Sequence, residues 1–419
     1  MAQMPQTPAD IISGAGFPVY LHGFSAIDSY LGRNNGSRGC AVHVICGAEL
    51  SDLARLFDGL RYPGAALADA ALDCGEKTWY FRCGEPGETP CSSFAFLEFY
   101  QDYKTQRFFD PNGIYPHLRF TRDGVKQGEA SDCLHSASSW LETKKTLDTY
   151  GSDLSRALID GALILTRYFP EASIKEINAI AARLCNLSNN QGGFGSAAFG
   201  STLTAGIEEQ RLLLTGLLEA ANPASGFELL KNCGFVSAFW PELAALNDVD
   251  HSKEYHPEGN VWDHTMEALR HRKPGGGGFD LRLSLGLLLH DVGKPASASF
   301  GSRRFDGHAE LGARTAARFL ERLQFEPSLI QDIYYLVKNH MLPAALKRLP
   351  LTKTAEIMAS PMFPALMELY RCDESSSFKG LDEYYENSAA YQSYLKNLKN
   401  PYRSADGKKI NNPALKGYT

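Results

Sequence analysis

The hydrophobic period of this 419-residue chain changes part-way along it, and that change sets what the chain can fold into. Between residues 17 and 120, short apolar runs such as FPVYLHGF, CAVHVIC, KTWYFRC and SSFAFLEFY are separated by Gly, Asn and Asp. Runs of that length bounded by turn formers read as strands or buried segments. Two helices are expected among them, over residues 25–31 and 50–60, the second from the spacing of Leu53, Leu56, Phe57 and Leu60. From Thr143 onward apolar residues recur at i, i+3, i+4 and i+7, as in LSRALIDGALILTRYF, IKEINAIAARLCNL and IEEQRLLLTGLLEAA. The rest of the chain should therefore be nearly all helix. The expected fold class is α+β: a small mixed α/β head at 1–130, a helical neck at 131–250, an all-α domain at 251–390 and a polar tail at 391–419. The length calls for more than one core. Glycine-rich interruptions at 188–201 and 274–278 read as loops or hinges.

A net charge of -6 argues against a strongly basic nucleic-acid glove, although a local basic patch is compatible with an acidic average. The nine cysteines are scattered, odd in number and without a CxxC pair, which reads as reduced thiols in a cytosolic protein. The opening MAQMPQTPADII has neither a basic n-region nor a long apolar run, and no stretch of eighteen apolar residues follows. The expected location is cytoplasmic, with no membrane partner.

The chemistry concentrates in LGLLLHDVGKP, residues 285–295. His290 and Asp291 close an apolar helix, where an unpaired carboxylate would be costly unless a cation or hydrogen bonds compensate it. Three more histidines lie on apolar helix faces: His264 after GNVWD, His308 at the head of HAELGARTAARFLERL, and His340 after Ile333, Leu336 and Val337. Asp373 ends ALMELYRCD, on the stripe of Leu366 and Leu369. A lone histidine of this kind is usually a satisfied core residue. Four histidines and two aspartates on successive helices instead form the donor set of a divalent transition metal. One ion is expected on His264, His290, Asp291 and Asp373, with His308 and His340 available to a second ion that Asp291 bridges. Asp291 and Lys294 are the expected catalytic residues, Lys294 as a point charge for a phosphate, or else as a helix-end lysine complementing the dipole. Nothing suggests a serine or cysteine nucleophile.

The order H…HD…H…H…D, with GKP after the HD pair, resembles the HD-domain metal-dependent phosphohydrolases. That resemblance implies a metal-activated water attacking phosphorus. Segments at 223–246 and 256–265, then LLLHDVGKPAS and RRFDGHAELGA, look like successive parts of the class II tRNA nucleotidyltransferase and poly(A) polymerase family with a C-terminal HD domain. The best-matched part covers about residues 205–320. In that family a head domain carries GGxVRD, a DxD pair for two metal ions, and an RRDFTINAL-like segment. Here the first falls on Gly23-Phe24-Ser25-Ala26-Ile27-Asp28 followed by Leu31-Gly32-Arg33, and the DxD strand reads Cys40-Ala41-Val42-His43-Val44-Ile45 without an acid. The third appears as residues 90–97, also without its acid or arginines, while DPNGIYPHLR at 110–119 resembles the closing DPFxGxxDL. LSRALIDGALILTRYF resembles the neck helix, the EDxxR base-reading motif is not found, and Ala309 replaces the acid of GHExxGA. Glu49 and Asp52 are the nearest acids that could substitute for the DxD pair.

These departures lead to the expectation of a metal-dependent HD phosphohydrolase with a catalytically inactive nucleotidyltransferase-like head. The resemblance implies Mg, Mn, Ni or Fe as one or two ions, a nucleotide or RNA-end phosphate as substrate, and tRNA or other RNA as partner. The alternatives are a tRNA nucleotidyltransferase of CCA-adding or poly(A) polymerase type, and a non-catalytic RNA-binding protein with a structural metal.

Overall fold

The computed structural model describes residues 6–30, 41–62, 68–75, 77–86, 99–109, 154–189, 200–250, 259–275, 279–299, 305–377 and 380–410. Expected features at 31–40, 90–97, 110–119 and 411–419, and the centres of both glycine-rich interruptions, lie outside these residues. The fold class is α+β as expected, a six-stranded sheet followed by helices. Two compact units divide the chain, one of Met1–Phe239 with Pro274–Asp280 and one of Trp240–Lys273 with Leu281–Thr419.

The first unit opens with α1 (Pro8–Gly14), which Thr7 starts by a capping box: its side chain accepts from the Asp10 N–H, and the Asp10 carboxylate accepts from the Thr7 N–H. Strand β1 (Val19–His22) leads to α2 (Phe24–Tyr30), β2 (Ala41–Cys46) and α3 (Leu50–Leu56). The expected helix at 50–60 is cut short because Phe57 turns extended and Gly59 takes a positive φ of 81°. Phe57 leaves the helix to stack on Phe81 of the sheet, with ring centroids 5.8 Å apart, so its apolar character served the sheet and not a helix face.

Strands β3 (Ala70–Cys74), β4 (Lys77–Cys83), β5 (Tyr100–Asp102) and β6 (Phe108–Phe109) complete the order β3-β4-β2-β1-β5-β6. β2 and β4 run parallel and every other neighbouring pair antiparallel. Strand β3 was not expected, since ALDC lacks β-branched residues; it forms because β4 offers a complete ladder across a tight turn at Gly75. The register puts Val19, Leu21, Val42, Val44, Trp79 and Phe81 on one buried apolar face. The opposite face carries His22, His43, Tyr80, Arg82 and Tyr100, with Tyr100 stacked on His22 and Tyr80 on His43, each pair at 5.2 Å.

Helices α4 (Leu154–Tyr168), α5 (Ile174–Asn189), α6 (Ile207–Leu218), α7 (Pro223–Asn232) and α8 (Phe235–Phe239) follow in the same unit. α7 lies close on α4 because Gly226 has no side chain: a Cβ there would sit 2.9 Å from the Ala162 carbonyl oxygen. The end of α4 is fastened to α2 by charge. Arg167 forms an ion pair with buried Asp28 and lies 4.8 Å over the Phe24 ring, and the Tyr168 hydroxyl donates to Asp28 at 3.1 Å.

The second unit begins with α9 (Pro241–Ala244) and continues through α10 (Val261–Arg270), α11 (Leu281–Leu289), α12 (Lys294–Ser299), α13 (His308–Arg322), α14 (Pro327–Asn339), α15 (Leu351–Met358), α16 (Phe363–Ser375) and α17 (Asp382–Lys399). α11 is its axis, with Leu285, Leu287, Leu288 and Leu289 fully buried. Such an all-round apolar helix has to be surrounded, and α10, α14 and α16 pack about it. Among the described residues no helix is long and apolar enough to cross a membrane.

Replacing Asp28 by alanine leaves the buried Arg167 guanidinium without its carboxylate. Breaking one side of a buried pair costs about 3–5 kcal/mol, and the lower end is expected because Glu219 also lies within the field of Arg167. Urea denaturation of Asp28→Ala against the parent measures this; a loss under about 1 kcal/mol would show the pair to be marginal.

Candidate metal centre

Each expected ligand sits where local backbone structure aims it inward. α10 is capped by Asn260, whose side chain accepts the Asp263 N–H at 2.9 Å, so the helix begins at Val261 and His264 lies one turn inside it rather than opening it. α11 stops at Leu289, and His290 and Asp291 occupy the turn that follows. That turn is pressed against α13. A Cβ on Gly293 would lie 2.1 Å from the His308 carbonyl oxygen and 2.4 Å from the Gly312 nitrogen, so only glycine admits this approach. Gly307, with φ 75°, sends the chain into α13 with His308 as its first residue. His340 caps the C-terminus of α14, and Asp373 lies two residues before the end of α16.

The four imidazoles share one orientation. Nδ1 of His290, His308 and His340 lies 2.7, 2.8 and 2.7 Å from the carbonyl oxygens of Leu287, Phe305 and Val337, so each Nδ1 donates. His264 Nδ1 meets Ser376 Oγ at 3.1 Å; that hydroxyl gives its own proton to the Asp373 carbonyl oxygen at 2.6 Å and so accepts from the histidine. All four Nε2 atoms are thereby left as bare lone pairs. They converge on carboxylates. His264 Nε2 is 2.9 Å from Asp373 Oδ1 and 3.9 Å from Asp291 Oδ2, and His290 Nε2 is 3.2 Å from Asp291 Oδ2 and 3.7 Å from Asp373 Oδ1. Across the same carboxylate, Asp291 Oδ1 lies 3.5 Å from His308 Nε2 and 3.8 Å from His340 Nε2, and those two nitrogens face each other at 3.1 Å.

Lone pairs set against lone pairs in a buried pocket repel, and His290 Nε2 is buried without a hydrogen-bond partner. A cation between the donors removes both penalties. The shorter separations fit the adjacent-ligand edge of roughly 3 Å expected for an octahedral ion with bonds of about 2.1 Å. Two donor groups result, one of His264, His290 and Asp291 and one of Asp291, His308 and His340, with Asp373 completing the first. Nitrogen and oxygen donors in this mixture suit a divalent transition metal.

Electrostatics agrees with that role. Burial lowers the His340 imidazole to about 4 and also lowers that of His308, which keeps both neutral and able to donate. Burial alone would raise Asp291, but the positive charge around it, of which the Lys294 ammonium is the permanent part, outweighs burial and holds the carboxyl well below the usual range. Lys294 does not end a helix. It opens α12, with Nζ 2.6 Å from Asp291 Oδ2 and 5.6 Å from the centre of the Phe305 ring, so a C-terminal dipole role is excluded. The centre opens into a cavity of about 240 Å3 whose wall adds Phe305, Met341, Glu374 and Ser377. Ser376 escaped sequence reading, since a serine three residues after an aspartate carries no signal of its own.

The head offers no comparable donor set among its described residues. Asp52 is spent on capping α3, where it accepts the Glu49 N–H and pairs with Arg55. On β2 the polar face presents His43, which burial lowers to about 4, beside His22, lowered to about 3.

Residues 259–360 match the HD domain family. The chain is 32% identical over 190 residues to the CC-adding tRNA nucleotidyltransferase of Thermus thermophilus, covering 44% of this chain and 42% of that protein. It is 35% identical over 130 residues to the multifunctional CCA protein of Halorhodospira halophila, 31% of this chain and 30% of that one. The matches thus span less than half the length of these relatives. A solved CCA-adding enzyme of Bacillus stearothermophilus in complex with CTP overlays 94% of this chain and 84% of its own at 11% identity and a TM-score of 0.45, a likeness too slight to carry an argument. The homology to tRNA nucleotidyltransferases and the C-terminal HD domain are as the sequence motifs implied. The expected function is corrected: these relatives are named for nucleotide addition to tRNA and for CCA, not for phosphate hydrolysis, so the reading of a phosphohydrolase with an inert head gives way to the nucleotidyltransferase alternative.

Gly293→Ala must push α13 off the 290–293 turn, and overpacking of this kind costs about 1–3 kcal/mol; a lower Tm together with lost metal content is expected, and an unchanged Tm would refute the contact. In metal analysis of the purified protein, Asp291→Asn should deplete metal from both donor groups and His308→Ala from one. Because burial keeps His340 neutral to about pH 4 and lowers His308 as well, metal held by this pair should be retained as pH falls from 7 to 5 and released below that, as protons claim these two imidazoles; release already at the pH of free imidazole, near 6.5, would contradict the burial argument.

Proposed function

We propose that this chain, an HD-domain relative of the tRNA nucleotidyltransferases, is an enzyme that adds nucleotides to the 3′ end of tRNA in the cytoplasm. The observation that carries the reading is the 190-residue match, at 32% identity, to a CC-adding enzyme. In the reaction the terminal hydroxyl of the RNA attacks the α-phosphorus of CTP or ATP and pyrophosphate leaves. Such transfer depends on positioning and charge stabilisation more than on covalent chemistry. The proposed layout keeps a head at 1–130, a neck at 131–250, an HD domain at 251–390 and a tail at 391–419.

The HD domain is assigned a divalent-ion centre held by His264, His290, Asp291, His308, His340 and Asp373, whose ions would supply positive charge for phosphate oxygens of the RNA. Lys294, at the cavity wall, adds a fixed positive charge and steadies Asp291. Ser376 and the backbone carbonyls of Leu287, Phe305 and Val337 hold the imidazoles in the tautomer that donates inward. In the head, β2, where the resemblance places the family's DxD pair, carries no carboxylate, so nucleotide addition would draw its acidic groups from outside this strand.

The test is incorporation of labelled CTP or ATP into tRNA lacking its terminal nucleotides, with Mg or Mn supplied. Label at the 3′ end is the expected result. Binding of tRNA without incorporation under either ion would overturn the proposal and favour an RNA-binding protein with a structural metal.

A further inference from the structure

Away from both the sheet and the metal centre, two cysteines meet in the neck. Cys185 is half-buried on α5, and Cys233 is fully buried at the C-terminal cap of α7. The Cys233 Sγ lies 4.0 Å from the carbonyl oxygen of Ala181, one helical turn before Cys185, so the sulfur reaches the very turn of α5 that carries the second thiol. Neither thiol is in a disulfide.

We propose that Cys185 and Cys233 form an oxidation site, in which a hydroperoxide converts the two thiols to a disulfide that fastens α5 to α7. The neighbouring Cys233 thiol lowers the Cys185 thiol to about 7, so a large share is thiolate at neutral pH. Cys185 is also the more accessible partner, as the attacking sulfur has to be. In the first step its thiolate attacks a peroxide oxygen, the O–O bond breaks, Cys185 becomes a sulfenic acid and hydroxide leaves. In the second, the Cys233 sulfur attacks the sulfenic sulfur, the S–S bond forms, and water departs with the Cys233 proton and the sulfenic oxygen. Two thiols and one hydroperoxide thus give one disulfide and, for hydrogen peroxide, two waters. The staple closes on α7, which Gly226 holds against α4, so oxidation would stiffen the neck helices as a group.

The experiment exposes the full chain to stoichiometric hydrogen peroxide, blocks remaining thiols with an alkylating reagent, and maps peptides by mass spectrometry. A Cys185–Cys233 cross-linked peptide is expected, forming several-fold faster than oxidation of exposed Cys74 and rising in rate through about pH 7. Cys233→Ala should stop at the sulfenic acid, trapped at Cys185 by dimedone, and Cys185→Ala should leave Cys233 alkylatable after denaturation. Cross-links at Cys46–Cys83 instead, or Cys74 oxidised first in the unmodified chain, would overturn the proposal without bearing on nucleotide addition.

Discussion

Two backbones touch where Gly293 meets His308 and Gly312, and the candidate metal centre depends on that contact. α11 delivers His290 and Asp291 from one side, and α13 delivers His308 from the other. Neither helix alone gathers enough donors for an ion. Without a side chain at 293 the turn after α11 can lie directly on the first turn of α13, which closes the distance from His308 Nε2 to Asp291 Oδ1 to 3.5 Å. The glycine of HDVGKP therefore does structural work that its neighbours' chemistry requires.

Much of this was legible in the residues. The run of leucines before His290 announced a helix buried on every side, and the histidines on other apolar stripes announced what it would meet. Charge and burial fix the ligands because each candidate would be costly alone. The tautomers were not legible, since they depend on carbonyls and a serine that carry no pattern of their own. Nor was β3, whose alanines hold a strand only because β4 stands beside it. Phe57 shows the opposite failure: its spacing fitted a helix face, and the sheet claimed it.

The functional expectation failed for a different reason. It weighed the intact HD donors against a strand without carboxylates and let the chemistry that could be seen decide. Sequence relationship reaches further than the motif, because it counts residues that carry no chemistry at all, and the relatives it brings in are named for nucleotide addition to tRNA and for CCA.

The carboxylate of Asp291 is divided, Oδ2 toward His264 and His290 and Oδ1 toward His308 and His340. One negative charge shared in this way cannot be spent twice in full. Were ions to load on both sides, the first would draw electron density from the other oxygen, and the second would enter a poorer site and face the first one's repulsion. Loading would then be anticooperative, with one tight and one weak step. The number of ions carried would follow the free metal concentration around the protein as much as the protein itself.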